Sequence, residues 1–140
     1  MTLENYAQLF GNLRTDRQGD RPRPHKAVML LSVITLAESG KLGDGCIRYS
    51  PDLLQIFGRY FDIVRVGNDQ RTPFNPYFYL RSDGFWRLHP QPGKENLLAA
   101  TRSIRGPGQL LELVSHATLD DQLLVLITDP KARGVLRLAL

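Results

Sequence analysis

Apolar residues recur at three-and-four spacing at Leu3, Tyr6, Leu9, Phe10 and Leu13, which predicts an amphipathic helix over residues 3–14 with one buried stripe. Residues 15–24 are polar, charged and broken by Gly19, Pro22 and Pro24, so they read as a loop crossing the surface. From 25 to 39 the chain is apolar almost all round, with Val28, Met29, Leu30, Leu31, Val33, Ile34 and Leu36, as expected of a central helix that Gly40 stops. A short extended piece follows at 47–49. Ser50-Pro51-Asp52 then supplies an N-cap and a proline at the first helical position. The helix it opens carries the stripe Leu53, Leu54, Ile56, Phe57, Tyr60, Phe61 and Val64.

Residues 67–76 form a second polar, proline-punctuated loop. Beyond it, 77–80 and 85–88 flank Ser82-Asp83-Gly84 in the manner of a tight β-hairpin, on which Tyr77, Phe78, Tyr79 and Trp86 alternate and at least half enter the core. A helix is expected over 94–103 and ends before Gly106-Pro107-Gly108, and 110–117 fits a strand or a further helix. Thr118-Leu119-Asp120-Asp121 resembles a capping box, with aspartate in the glutamate role, for a helix through Leu126. Pro130 starts a last helix that stops at Leu140 without a cap, as a piece of something longer would. There is no internal repeat and no low-complexity segment. The pattern predicts an α+β fold: one mostly helical domain, 1–140, with a small antiparallel sheet or hairpin.

Size and composition agree with a single core. The chain has 140 residues, 42% of them apolar and 23% charged. Its longest apolar run is far too short to span a bilayer, and the N-terminus lacks the order of a signal peptide, so a cytoplasmic protein without membrane contact is expected. Cys46 has no partner for a disulfide, and His25, His89 and His116 lack metal-ligand spacing. No metal and no cofactor are expected, and His89 and His116 are assigned no chemistry.

Charge changes the picture through its placement. The formal net charge is only +4, yet residues 14–26 hold five basic against two acidic side chains and residues 65–105 hold seven against three. The excess coincides with two proline-punctuated stretches, Arg21-Pro22-Arg23-Pro24-His25-Lys26 and Arg71-Thr72-Pro73-Phe74-Asn75-Pro76-Tyr77-Phe78-Tyr79-Leu80. Each joins cations, which meet phosphate oxygens, to a rigid apolar surface that a phosphate normally avoids. A nucleic acid is the natural partner for such a face. A helix starting at His25 and Lys26 adds backbone N–H groups and a positive dipole end. Clustered carboxylates, an activated nucleophile and a glycine-rich phosphate loop are not legible, because Gly106-Pro107-Gly108 has neither the lysine nor the length. The chain is therefore read as a binding domain and not an enzyme.

With these residues assembled, the chain resembles the sulfur-binding domain of type IV restriction endonucleases that recognise phosphorothioate-modified DNA. The resemblance spans most of the chain. It rests on Pro24-His25-Lys26-Ala27-Val28 leading into an apolar helix, on Tyr49-Ser50-Pro51 opening the next, and on Asn75-Pro76-Tyr77-Phe78-Tyr79-Leu80 followed by Ser82-Asp83-Gly84-Phe85-Trp86. It implies phosphorothioated double-stranded DNA as partner and a nuclease, commonly of the HNH type, in a separate linked or associated domain. It also implies that His25 and Lys26 face the modified phosphate, that Pro76 lies under the sulfur, and that Asn75, Tyr77 and Tyr79 belong to the same pocket. Family members often carry arginine where this chain has Lys26, tyrosine at Asn75 and a small residue at Tyr79. The loop 67–74 matches the region that reads bases, which implies Asn68, Asp69, Gln70 and Arg71 as readers. Arg14, Arg17, Arg21, Arg23, Thr72, Arg102 and Arg105 are the expected contacts to the DNA backbone. The rival reading is a generic winged-helix-like DNA-binding module whose aromatic hairpin is the wing and whose affinity ignores sulfur. A third is an enzyme fragment with a site assembled only by folding.

Overall fold

A computed structural model describes the backbone of residues 1–15, 17–18, 21–67 and 69–140, and the side chains of these except 17, 18, 21 and 22. The architecture is mostly helical with a small antiparallel sheet, an α+β fold.

Helix α1, Leu3–Gly11, is closed at its start by a reciprocal bond pair between Thr2 and Asn5, and buries Tyr6 and Phe10. Two two-residue strands, β1 (Arg17–Gln18) and β2 (Arg21–Pro22), pair antiparallel within the stretch read as plain loop. Helix α2, His25–Glu38, is central because it is apolar on nearly every side, burying Val28, Met29, Leu30, Val33, Ile34 and Leu36. It packs on α3, Pro51–Val64, whose start is capped by Ser50 with proline at the first position, as its sequence predicts.

The segment after Pro73 departs from expectation. Residues 74–79 form a short helix, α4 (Phe74–Tyr79), followed by a 3₁₀ turn over Leu80–Asp83 that Gly84 ends at φ 93°. There is no hairpin at 77–88. Pro76 is the third residue of α4, where the amide that proline lacks would have no acceptor within the helix, so the ring costs the helix no hydrogen bond. Tyr77 and Phe78 are both buried although adjacent, which a half-buried strand would not allow. The Tyr77 hydroxyl donates to the Ile47 carbonyl at 2.6 Å, and the Trp86 indole donates to the Tyr77 carbonyl at 2.9 Å.

Strand β3, Trp86–Pro90, finds its partner far along the chain in β4, Val114–Leu119, with Trp86 opposite Leu119 and His89 opposite His116. Ile47 bridges to Ala117 at the other edge of β4. Between the strands lie α5 (Glu95–Ala100), shorter than expected, and α6 (Pro107–Leu113). The segment that fitted strand or helix is both, since helix gives way to strand at Val114. Helices α7 (Asp121–Ile127) and α8 (Pro130–Ala139) complete the fold against α1 and α2.

The Thr118–Asp121 capping box does not form. Thr118 lies in β4, and the Asp120 carboxylate instead takes the Tyr6 hydroxyl at 2.9 Å and lies 2.8 Å from Arg87. Burial and that carboxylate push the Tyr6 hydroxyl up to about 12, so it stays a donor. No helix among the described residues is long and apolar enough to cross a membrane.

Candidate nucleic-acid interface

The start of α2, the loop 65–73 and α4 enclose an open cleft of about 830 Å³. Pro76, Asn75 and Tyr79 form its α4 wall. Pro76 is buried by its neighbours yet presents to the cleft, and the Asn75 amide donates to the Thr72 hydroxyl at 3.1 Å. The Tyr79 ring meets Phe78 edge-on at 5.0 Å, and its hydroxyl accepts the Ile104 amide at 3.3 Å, which fixes the ring. Opposite stand His25, Lys26, Arg14 and Arg23. The two proline-punctuated stretches, some fifty residues apart, thus face each other across one space. No side chain caps the start of α2, so its first amides and dipole add positive potential there.

Lys26 does not offer a free charge. Its ammonium lies 2.7 Å from the Asp83 carboxylate, the side chains being 9% and 5% exposed, and it also donates to the Arg14 carbonyl and, at 3.4 Å, to the Ser82 hydroxyl. Asp83 in turn accepts the Arg14 amide at 2.8 Å. Lys26 and Asp83 cancel in charge and tie α2, the 3₁₀ turn and residue 14 into the cleft floor. Arg14 gives its backbone N–H and carbonyl to this knot and is an exposed residue of the cleft lining.

His25 works as a clasp. Its Nε2 lies 2.6 Å from the Gln70 carbonyl, which can only accept, so Nε2 carries a hydrogen and Nδ1 is the remaining ring atom. The ring packs on Phe61 at 4.9 Å. The Gln70 contact pins the loop after α3 to the start of α2, and the Phe61 contact ties that start to α3. The loop has a second pin in Asp69, fully buried, whose carboxylate accepts the Val66 amide at 2.9 Å and meets Arg23 at 3.1 Å, while Arg65 donates to its carbonyl. Asp69 is therefore a structural residue of the loop rather than a reader of bases, because no base edge can reach a carboxylate buried behind Arg23.

Several other expected residues are relocated. Tyr77 belongs to the core, not the cleft; burial raises its hydroxyl well above the ordinary tyrosine value. Gln70 and Thr72 line the cleft, whereas Arg71 between them turns onto α3 beside Gly58. Arg102 and Arg105 are exposed on the segment that contacts Tyr79 through Ile104, outside the cleft lining. Asn68 and the side chains of Arg17 and Arg21 lie outside the described residues. Thr15, Ser82 and Asp83 were not anticipated. In the sequence Asp83 stood in a turn motif and in the run that carries the resemblance, and neither told of a lysine 57 residues away. No group of three or more metal-ligating side chains occurs among the described residues.

No protein-family model and no curated protein matches the chain. Among solved structures it is similar to one described as the sulfur binding domain of SprMcrA complexed with phosphorothioated DNA, with a TM-score of 0.70 at 16% identity, over 99% of this chain and 83% of that one. At that identity the likeness establishes the fold: helices and short sheet follow the course of a sulfur-binding domain almost from end to end.

Proposed function

We propose that this chain binds double-stranded DNA carrying a phosphorothioate linkage, holding the linkage in the cleft between α2 and α4 and delivering a separate nuclease domain to it. The observation that carries this reading is the facing of Pro76, on a wall with Asn75 and Tyr79, against Arg14, Arg23 and the uncapped start of α2. The fold likeness to a domain whose described complex contains phosphorothioated DNA supports it.

The chemistry divides between the two walls. Sulfur in place of a non-bridging oxygen is larger, more polarizable and a weaker acceptor, so it tolerates contact with a proline ring that oxygen does not. Covering roughly 30–40 Å² of sulfur is worth about 1 kcal/mol, and an oxygen left without a donor costs roughly 1–3 kcal/mol. Together they give a preference of roughly tenfold to a thousandfold. The second non-bridging oxygen is met by Arg14, by the donors of Arg23 that its pairing with Asp69 through Nη1 leaves over, and by the α2 amides, so only one stereoisomer presents sulfur to Pro76. Because Lys26 is neutralised by Asp83, its part in this scheme is to fix the floor. Gln70 and Thr72 flank the linkage as contacts to DNA.

The test is a titration at fixed salt of a duplex with one phosphorothioate of defined stereochemistry against its all-oxygen twin. One stereoisomer binding at least tenfold more tightly is the expected result. Equal affinities would leave a DNA-binding module indifferent to sulfur, though without the hairpin wing of the rival reading, and magnesium-dependent cleavage by this chain alone would favour an enzyme.

A further inference from the structure

Arg71 occupies a seat that the helix beside it leaves open. Its guanidinium lies against Gly58, in the interior of α3, and a methyl group at residue 58 would overlap its terminal nitrogen and Cζ. Glycine in a helix interior weakens the helix relative to alanine, and Gly58 has an ordinary helical backbone with no positive φ to demand it. What residue 58 supplies is room. One turn further on, Asp62 lies 3.9 Å from Arg71 Nη1, near enough to attract the cation but beyond hydrogen-bond distance. The Arg71 side chain is 50% exposed. Its fork of donors is thus held in place without being consumed, while Gln70 and Thr72 on either side line the cleft.

We infer that Gly58 and Asp62 are positioning residues that hold the Arg71 guanidinium ready for a paired acceptor on the DNA next to the cleft, the O6 and N7 edge of a guanine. A free arginine loses rotamer entropy when it docks, and a seat made before binding removes part of that loss. This rests on the DNA-binding reading but not on sulfur selectivity, since the seat lies outside the cleft.

The experiment is a double-mutant cycle on the intact chain, read by affinity for phosphorothioated and oxygen duplexes and by thermal melting. Gly58→Ala is expected to melt no lower than the parent, because alanine favours the helix. It is expected to lose about three- to tenfold in affinity for both duplexes, leaving the sulfur-to-oxygen ratio unchanged. Arg71→Ala is expected to lose more, and adding Gly58→Ala to it nothing further. Replacing guanines one at a time by 7-deazaguanine, which lacks N7, should abolish the Arg71 effect at one position. A loss equal on every sequence, with a smaller salt slope, would instead place the seated guanidinium on a phosphate and overturn the guanine assignment. Parental affinity for Gly58→Ala, or the same loss without Arg71, would overturn the seat itself. A protein that shows the coupling but no sulfur preference upholds the seat and refutes the proposed function. A protein that binds neither duplex refutes both.

Discussion

The floor of the cleft and its rim contain the same kinds of residue and use them in opposite ways. On the floor, Lys26 is nearly buried and spends its donors on Asp83, Ser82 and the Arg14 carbonyl. On the rim, the side chain of Arg71 is half in solvent, with its nearest carboxylate beyond hydrogen-bond distance. Both read as DNA-facing cations in the sequence. The difference is what surrounds them: a buried ammonium requires a partner, whereas a guanidinium lying on a glycine needs only space. A basic residue near a binding cleft is therefore a contact only after its internal partners have been counted.

The contrast is broken most sharply at the floor. Lys26→Met strands the buried Asp83 carboxylate and is expected to cost about 3–5 kcal/mol of stability, seen as a lowered melting temperature, with binding of both duplexes lost together. An unchanged melt would show that the pair does not build the floor. Arg23→Ala is expected to act at both levels, costing roughly 1–2 kcal/mol because it removes a charged partner of the buried Asp69, and weakening both duplexes. Pro76→Ser should leave the melt and the oxygen duplex nearly unchanged while reducing the sulfur preference by about tenfold, or about 1.4 kcal/mol. Arg14→Ala removes a cleft cation but keeps the backbone bonds to Lys26 and Asp83, so it should weaken both duplexes alike and lower the salt slope by about one.

The smallest expected effect lies away from the cleft. His116 stacks on His89 across β3 and β4 at 4.5 Å, and burial, then His89 and Arg48, hold its ring below the ordinary value of 6.5. The folded chain then binds fewer protons than the unfolded one just below that value. Stability is full above pH 6.5 and declines as pH falls through it. A modest drop in melting temperature between pH 7.5 and 5.5, reduced in His116→Asn, is expected; DNA selectivity at matched stability should not follow it.

Much of the scaffold was legible because its signals are local. The apolar girth of α2, the Ser50-Pro51 start of α3 and the Pro130 start of α8 each depend on residues within a few turns. A small antiparallel sheet and its strand near 85–88 were expected too, but not the pairing, since β3 joins a strand some 25 residues further on and no turn chemistry announces such a partner. The aromatic run 77–80 misled for a related reason: β-favouring side chains were buried by the core against the period of a strand, and tertiary packing decided in favour of a helix. In the cleft, Pro76, Asn75 and His25 come from the two proline stretches, and Arg14 was named apart from them for its charge alone. The neutralisation of Lys26 and the burial of Asp69 were not legible, because each depends on a carboxylate or guanidinium brought from a distant segment.

Where the sulfur sits can be seen in a crystal structure of the chain with a duplex bearing one phosphorothioate, sulfur being located by its anomalous scattering. That atom is expected within about 4 Å of the Pro76 ring, with the paired oxygen turned toward Arg14 and the start of α2. Sulfur pointing into solvent, or a modified linkage bound elsewhere with Pro76 remote from any nucleotide, would contradict this placement.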